Sequence, residues 1–337
     1  MPDLPPEQPG ASMTEYSRIR ASFEVTHELS DRRLDQAVSE LVPEHSRSRL
    51  QGWIRGGQLI VNGRQCKPRD KVMLGDRIEL DAEPEVQVTW KAQSIELDVV
   101  YEDDHLMVIN KPAGLVVHPA AGHADGTLVN ALLNYAPEVE NLPRAGIVHR
   151  LDKDTSGIMV VARSLVAHTS LVEQLQERTM GREYEAVVVG ELTGGATVDA
   201  HIGRHPRDRK KMAVVSSGKP AVTHYRLIER FAAHTHIRCK LESGRTHQIR
   251  VHMAHVRHPL VGDPLYGGRL RLPKGTTEEL REVLAGFQRQ ALHARQLTLE
   301  HPETGEILTW ETPLPADFEH LLAALRQHVG ELKSHEF

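Results

Sequence analysis

The run His149-Arg150-Leu151-Asp152-Lys153-Asp154-Thr155-Ser156-Gly157 places a histidine, two cations and two carboxylates side by side. The apolar run Ile158 to Ala162 follows at once, and a short apolar run after a glycine reads as a buried strand. The charges therefore stand at the mouth of a core strand, where a rigid scaffold can hold a reactive group. Positive charge from Arg150 and Lys153 favours the ionised form of a carboxylate at Asp152. That form suits a nucleophile or an electrostatic catalyst better than a proton donor. The same residues serve equally as salt bridges decorating a strand entry, and spacing alone leaves both readings open.

A second dense polar run is Gly244-Arg245-Thr246-His247-Gln248-Ile249-Arg250-Val251-His252. Thr246 is placed to cap a helix over Gln248 to His255. Arg245, in the loop before that cap, is placed to reach a carboxylate, and its guanidinium fork suits Asp152. The alternative is a cationic helix face with no partner. Among the 21 histidines, His247, His252, His255 and His258 invite a metal reading. Their spacing does not match HExxH and no acid lies between His247 and His258, so no metal site is expected. Walker and GxGxxG loops are missing, and no nucleotide or redox cofactor is implied. Ser156 near His149 hints at a hydrolase, but there is no GxSxG elbow, and three such neighbours at one strand entry make poor triad geometry. Tyr184, in Arg182-Glu183-Tyr184-Glu185-Ala186, reads by itself as an ordinary half-buried strand tyrosine.

The elements that must position these groups follow from apolar periodicity. Residues 1–20 are polar and Pro-rich and are expected to be a disordered tail. Ser30-Asp31 is placed to cap a helix carrying Leu34, Ala37, Val38 and Leu41, and Ser46 a second helix that ends at Gly56-Gly57. Leu59 to Val61 reads as a strand, Asn62-Gly63 as a tight hairpin turn, and Val72 to Leu80 as another strand. Residues 21–82 thus form a small module of two helices and a hairpin, and 83–94 an acidic linker. A larger domain covers 95–329, with 330–337 as a tail. It is expected to hold strands at Leu106 to Ile109, Ile158 to Ala162, Tyr184 to Val189, Thr223 to Leu227 and His236 to Leu241. A hairpin pairs Leu297 to Leu299 with Ile307 to Trp310. Helices are expected at Leu128 to Leu133, Leu165 to Arg178, Gln248 to His255 and Phe318 to Val329. Strands outnumber helices and several are short-linked, so the class is α+β with a mixed, largely antiparallel sheet.

The chain has 337 residues and a net charge of −5, which taken whole argues against a nucleic-acid partner. The average hides an asymmetry. Residues 45–71 carry seven Lys/Arg and one acid, whereas 76–104 carry ten acids and two bases. Arg47, Arg49, Arg55 and Arg64 belong to the first patch, and Arg204, Arg209 and Lys210 to a second between residues 204 and 211. Local patches, not totals, govern binding to a polyanion. Two cysteines without a CxxC pattern point to a reducing cytoplasm. No apolar run reaches the ~18 residues of a membrane span.

Taken together these motifs resemble the RluA family of pseudouridine synthases. The match takes in His149 to Asp152 with Thr155-Ser156-Gly157, then Arg182-Glu183-Tyr184 and Gly244 to His252. It continues through His258-Pro259-Leu260-Val261-Gly262-Asp263-Pro264 with Tyr266-Gly267, and Ala291-Leu292-His293-Ala294. The module over 21–82 resembles an S4 RNA-binding domain. The resemblance implies isomerisation of uridine in RNA to its C5-glycoside, with Asp152 as the essential carboxylate. Arg245 would be the arginine paired with it, Tyr184 the aromatic that stacks on the base, and Ile249 a floor. Arg150 and His149 would contact the RNA. It also implies large-subunit (23S) rRNA, at several uridines of the helix 69 loop, as the partner; a monomer is the default expectation. A synthase for another rRNA or tRNA site, or a non-catalytic S4-type assembly factor, are the alternatives.

Overall fold

The computed structural model describes residues 19–43, 47–82, 90–119, 125–208, 210–270, 272–273 and 275–334. They fall into two compact units, Met1–Thr89 and Trp90–Phe337. The tail expected at 1–20 lies almost wholly outside the described residues, as do Ser46 and most of the linker.

The first unit runs β1 (Ile19–Glu24), α1 (Leu34–Leu41), α2 (Arg47–Gly56), β2 (Leu59–Val61), β3 (Arg64–Gln65) and β4 (Arg77–Ala82). Its antiparallel sheet has the order β1-β4-β2-β3. Leu34, Ala37 and Val38 recur on one face of α1 and bury against Leu50, Trp53 and Ile54 of α2, the spacing that a 3.6-residue repeat dictates. Asn62 and Gly63 both take positive φ, 51° and 72°, as a two-residue hairpin requires. The anticipated cap of α1 is different. Asp31 turns with φ 65° and the Ser30 hydroxyl accepts from Leu74 N, so the helix starts three residues later with no side-chain cap. The strand anticipated from Val72 begins only at Arg77, because Gly75 and the Asp76 carboxylate, which accepts from Met73 N, first close a turn.

The second unit runs β5 (Val99–Glu102), β6 (Leu106–Lys111), α3 (Leu128–Tyr135), β7 (Ser156–Ala162), α4 (Leu165–Glu177), β8 (Gly181–Val189), β9 (Ala196–Asp199), β10 (Ile202–Arg204), β11 (Met212–Val214), β12 (Val222–Arg230), β13 (His234–Leu241), α5 (Gln248–His255), α6 (Glu278–Gly286), β14 (Leu292–Glu300), β15 (Ile307–Glu311) and α7 (Ala316–Ser334). Nine strands form one sheet in the order β5-β6-β7-β14-β8-β13-β12-β9, with β15 on β14. Its one parallel junction is β7 with β14; the other pairs are antiparallel. This is the mixed, largely antiparallel sheet of an α+β protein. β10 and β11 form a separate hairpin.

Every residue of β7 is buried, as its unbroken apolar run demands of a central strand. Gly157, its second residue, has φ 114°, and a Cβ there would lie 2.2 Å from the Ala294 carbonyl oxygen, so only glycine lets β14 approach. At the end of β6, Lys111 is 1% exposed. Its ammonium donates to the carbonyls of Pro112 (2.8 Å), Leu115 (2.9 Å) and Lys153 (3.0 Å). The loop carrying Asp152 is thereby tied to the neighbouring strand. Burial lowers the Lys111 pKa to about 7 against the opposing pull of Asp154 and Asp152.

Candidate active site

Asp152 sits in the loop between residues 147 and 155, just before β7. Together with Arg150, Arg182, Tyr184, Arg245, His247, Ile249 and Arg250 it lines a cavity of about 270 Å³, near the lower end for small-ligand pockets (roughly 300–1,000 Å³). The Asp152 carboxylate is 18% exposed. Its Oδ2 accepts from Arg250 Nη1 at 2.9 Å. Its Oδ1 stands 3.9 Å from His247 Nε2.

The pairing arginine is therefore Arg250, and the assignment of that role to Arg245 is corrected. Arg245 precedes α5 and its Nε donates to the Pro220 carbonyl, leaving it at the rim of the cavity. Arg250 lies inside α5 on its buried side. Its fork donates to both oxygens of buried Asp263, from Nε at 2.7 Å and Nη2 at 3.0 Å, which leaves Nη1 for Asp152. Burial alone would lower the Arg250 pKa, but the two carboxylates raise it above the usual arginine value. The guanidinium also lies 5.1 Å over the Tyr266 ring. A lone arginine inside an otherwise buried helix must find a carboxylate, and Asp263, thirteen residues on, was the available signal.

His247 takes a left-handed φ of 57° at the start of α5. Thr246 does not cap the helix; Gln248 closes the loop instead, accepting from Arg245 N and Ser243 Oγ. Tyr266 Oη accepts from Met212 N at 2.9 Å and lies 2.9 Å from His247 Nδ1, which turns the other imidazole nitrogen, Nε2, toward Asp152. Burial lowers the His247 pKa, with Asp152 opposing.

Tyr184 is 7% exposed and borders the cavity. Burial raises its phenol pKa, with Arg182 opposing and Asp152 adding to the rise. Ile249 is buried in the cavity lining. His149, expected among the RNA contacts, is committed to the scaffold: its Nε2 accepts from Val160 N at 3.1 Å. Burial first, and Arg182 second, push its pKa down to about 3. Ser156 pairs instead with His293 Nδ1 at 2.9 Å, so no triad links His149, Asp152 and Ser156. His252 and His258 are likewise engaged by Thr223, Ala200 and Val189. Among the described residues no group of His, Cys, Asp or Glu is arranged to hold a metal ion.

Arg150 is exposed at the cavity edge. Arg204 and Lys210 are exposed on or beside the β10–β11 hairpin, while Arg209 lies outside the described residues. In the first unit Arg55 and Arg64 are exposed and Arg49 is half-buried. Arg47 donates to buried Asp35 at 2.9 Å, a role in holding α1 to α2 that the charge pattern did not reveal. No described helix is long and apolar enough to cross a membrane.

The arginine-held carboxylate and the buried tyrosine share one cavity of a mixed sheet, and the relatives of this chain are RNA-modifying isomerases. The RNA pseudouridylate synthase family matches residues 105–255, and the S4 domain matches residues 32–78. The chain is similar to ribosomal large subunit pseudouridine synthase D of Pseudomonas aeruginosa, 61% identical over 309 residues covering 92% of this chain and 97% of the relative. The protein of that name in Escherichia coli K12 is 52% identical over 317 residues, covering 94% and 97%. A solved structure of human RNA pseudouridylate synthase domain containing 4 superposes with a TM-score of 0.54 at 27% identity, covering 68% of this chain and 93% of that one. The chain belongs to the RluA family of RNA pseudouridine synthases.

Proposed function

We propose that this protein isomerises uridines of large-subunit (23S) rRNA to pseudouridine, at several positions in the helix 69 loop, with Asp152 as the essential carboxylate. The carrying observation is the single cavity in which Asp152, held by Arg250, faces buried Tyr184. A uridine reaches it by leaving its stack, at a cost of a few kcal/mol. Stacking on an aromatic face such as Tyr184 recovers about 1–3 kcal/mol. Asp152 then acts on the sugar while the N1–C1′ bond breaks, the base turns in the cavity, and C5 rejoins C1′. The fixed carboxylate oxygen keeps the second one aimed at the ribose.

Arg150 at the rim holds the place vacated by the flipped nucleotide. Residues 21–82 serve as an S4-type RNA module, and residues 95–329 as the catalytic domain. Exposed Arg55, Arg64, Arg204 and Lys210 contact phosphates, which makes binding fall steeply with salt. The chain works in the cytoplasm as a monomer. The similarity to enzymes named for the large ribosomal subunit supports that substrate. The test is to map pseudouridines in rRNA from cells with and without this protein. Loss confined to the helix 69 loop is expected; an unchanged loop overturns the site assignment, and loss at a tRNA or another rRNA position selects the alternative target.

A further inference from the structure

Arg182 is the one buried guanidinium of the cavity that the reading above leaves without work. It is 7% exposed and borders the cavity. Its Nε has no hydrogen-bond partner, and among the described residues its guanidinium forms no hydrogen bond or ion pair. Arg250, equally buried, is held by two carboxylates. A buried cation left unpaired is costly, so a fold that keeps one beside a reactive carboxylate has a place for negative charge that arrives later. The guanidinium lies against the loop before α5: a Cβ on Gly244 would lie 2.8 Å from Arg182 Nη1. Arg182 precedes Tyr184 by two residues on β8, so both side chains leave the same face of the strand. The charge is felt by both neighbours, lowering the pKa of His149 after burial and opposing the rise at Tyr184.

We propose that Arg182 is a catalytic residue that receives the negative charge developing on uracil as the N1–C1′ bond breaks. The inference rests on the reading of Asp152 as the carboxylate that acts on the sugar. Whichever way Asp152 acts there, the electron pair of the N1–C1′ bond leaves with the base and spreads from N1 onto O2 and O4. Arg182 N–H groups donate to one of these oxygens. When C5 bonds to C1′ the charge is withdrawn, the C5 proton leaves, and N1 takes one up, so the composition is unchanged. Donors fixed in a dry site where charge develops are worth about 10²–10³ in rate. A phosphate of the same nucleotide offers similar chemistry, but the exposed rim cation Arg150 suits it better than a guanidinium buried beside Tyr184.

The test is single-turnover pseudouridine formation on a short stem-loop RNA, with binding and melting measured on the same full-length variants. Arg182→Met is expected to lose about 10²–10³ in rate, with affinity within about threefold. Arg182→Lys should recover part of that loss, as should millimolar guanidinium ion added to Arg182→Met. With 5-fluorouridine at the target, whose detached base is the more stable anion, the loss should shrink at least about tenfold, read as disappearance of the N-glycoside. A rate within about threefold of the parent overturns the proposal. So does an affinity loss that vanishes when the target's phosphate is replaced by a methylphosphonate, which makes Arg182 a phosphate holder. If Arg182→Met melts far below the parent, Arg182→Lys and the two substrate comparisons decide. Asp152→Asn, run in parallel, separates the levels: if it is inactive while Arg182→Met is normal, only this inference falls; if it is active, the reading beneath it falls.

Discussion

Asp35 and Asp152 are both carboxylates met by arginine, one in each unit, and they are finished differently. The Asp35 side chain is fully buried and receives Arg33, Arg47 and Gln51. Burial alone would raise its pKa, but these donors hold it below the usual carboxylate range. Each oxygen accepts at least one hydrogen bond. Asp152 receives one short hydrogen bond, from an arginine already fixed by Asp263, and its other oxygen stands open toward His247 and the cavity. The motif of acid plus arginine thus leaves no acceptor open at Asp35 and one oxygen open at Asp152.

The sharpest way to break this contrast is Asp152→Asn. We expect pseudouridine formation to fall at least about 10³-fold while melting temperature and RNA affinity change little, since the open oxygen supports chemistry and not packing. Turnover within tenfold of the parent would place Asp152 with Asp35 among structural acids. Arg250→Lys comes next. A point charge cannot fork between Asp263 and Asp152, so single-turnover rate should drop roughly 10²-fold, with a stability loss because Asp263 is left buried and half-paired. An unchanged rate in that variant would show that Asp152 needs no fixed partner.

Asp35→Asn should show the reverse pattern. Losing the charge-assisted bonds is expected to destabilise the first unit by about 1–3 kcal/mol, followed by fluorescence of buried Trp53, with the rate on bound RNA untouched. A carboxylate whose folded pKa is depressed adds stability above its unfolded value, near 3.9, and loses it as pH falls through the folded one. The acid limb of the Trp53 transition should therefore flatten in Asp35→Asn; an unaltered limb would assign acid unfolding to other groups. Lys111 works in the alkaline window. With a folded pKa of about 7 and an unfolded one near 10.4, the unfolded chain holds more protons between those values. Stability should rise with pH there, and Lys111→Met should remove that slope. Parallel melting curves for the two proteins from pH 7 to 10 would contradict it.

The sheet class, α5 at its residue bounds and the loop bearing Asp152 were legible because apolar period and glycine placement are local signals. The partner of Asp152 was not. Arg245 and Arg250 are both close to the start of α5, and choosing between them needs the position of Asp263, which only the turn after α5 brings under the helix. Arg47 holds a second role hidden in the same way: as one of a run of exposed cations it reads as an RNA contact, and only the packing of α1 on α2 reveals buried Asp35 beneath it. Arg182 was visible only as company for Tyr184, since an empty guanidinium has no sequence signature.

The parallel junction of β7 with β14 also sets an order of events during synthesis. Ser156 meets His293 across 137 positions, and Asp152 meets Arg250 across 98, separations that make closure of the site a late, slow step in folding. The S4-type unit is contained within the first 89 residues and needs no such closure. A chain still emerging can therefore complete its RNA-gripping half before β14 exists to brace the loop of Asp152. A chain stopped before Leu292 is expected to keep the buried Trp53 signal yet form no pseudouridine, so the grip on RNA matures earlier than the capacity to alter it.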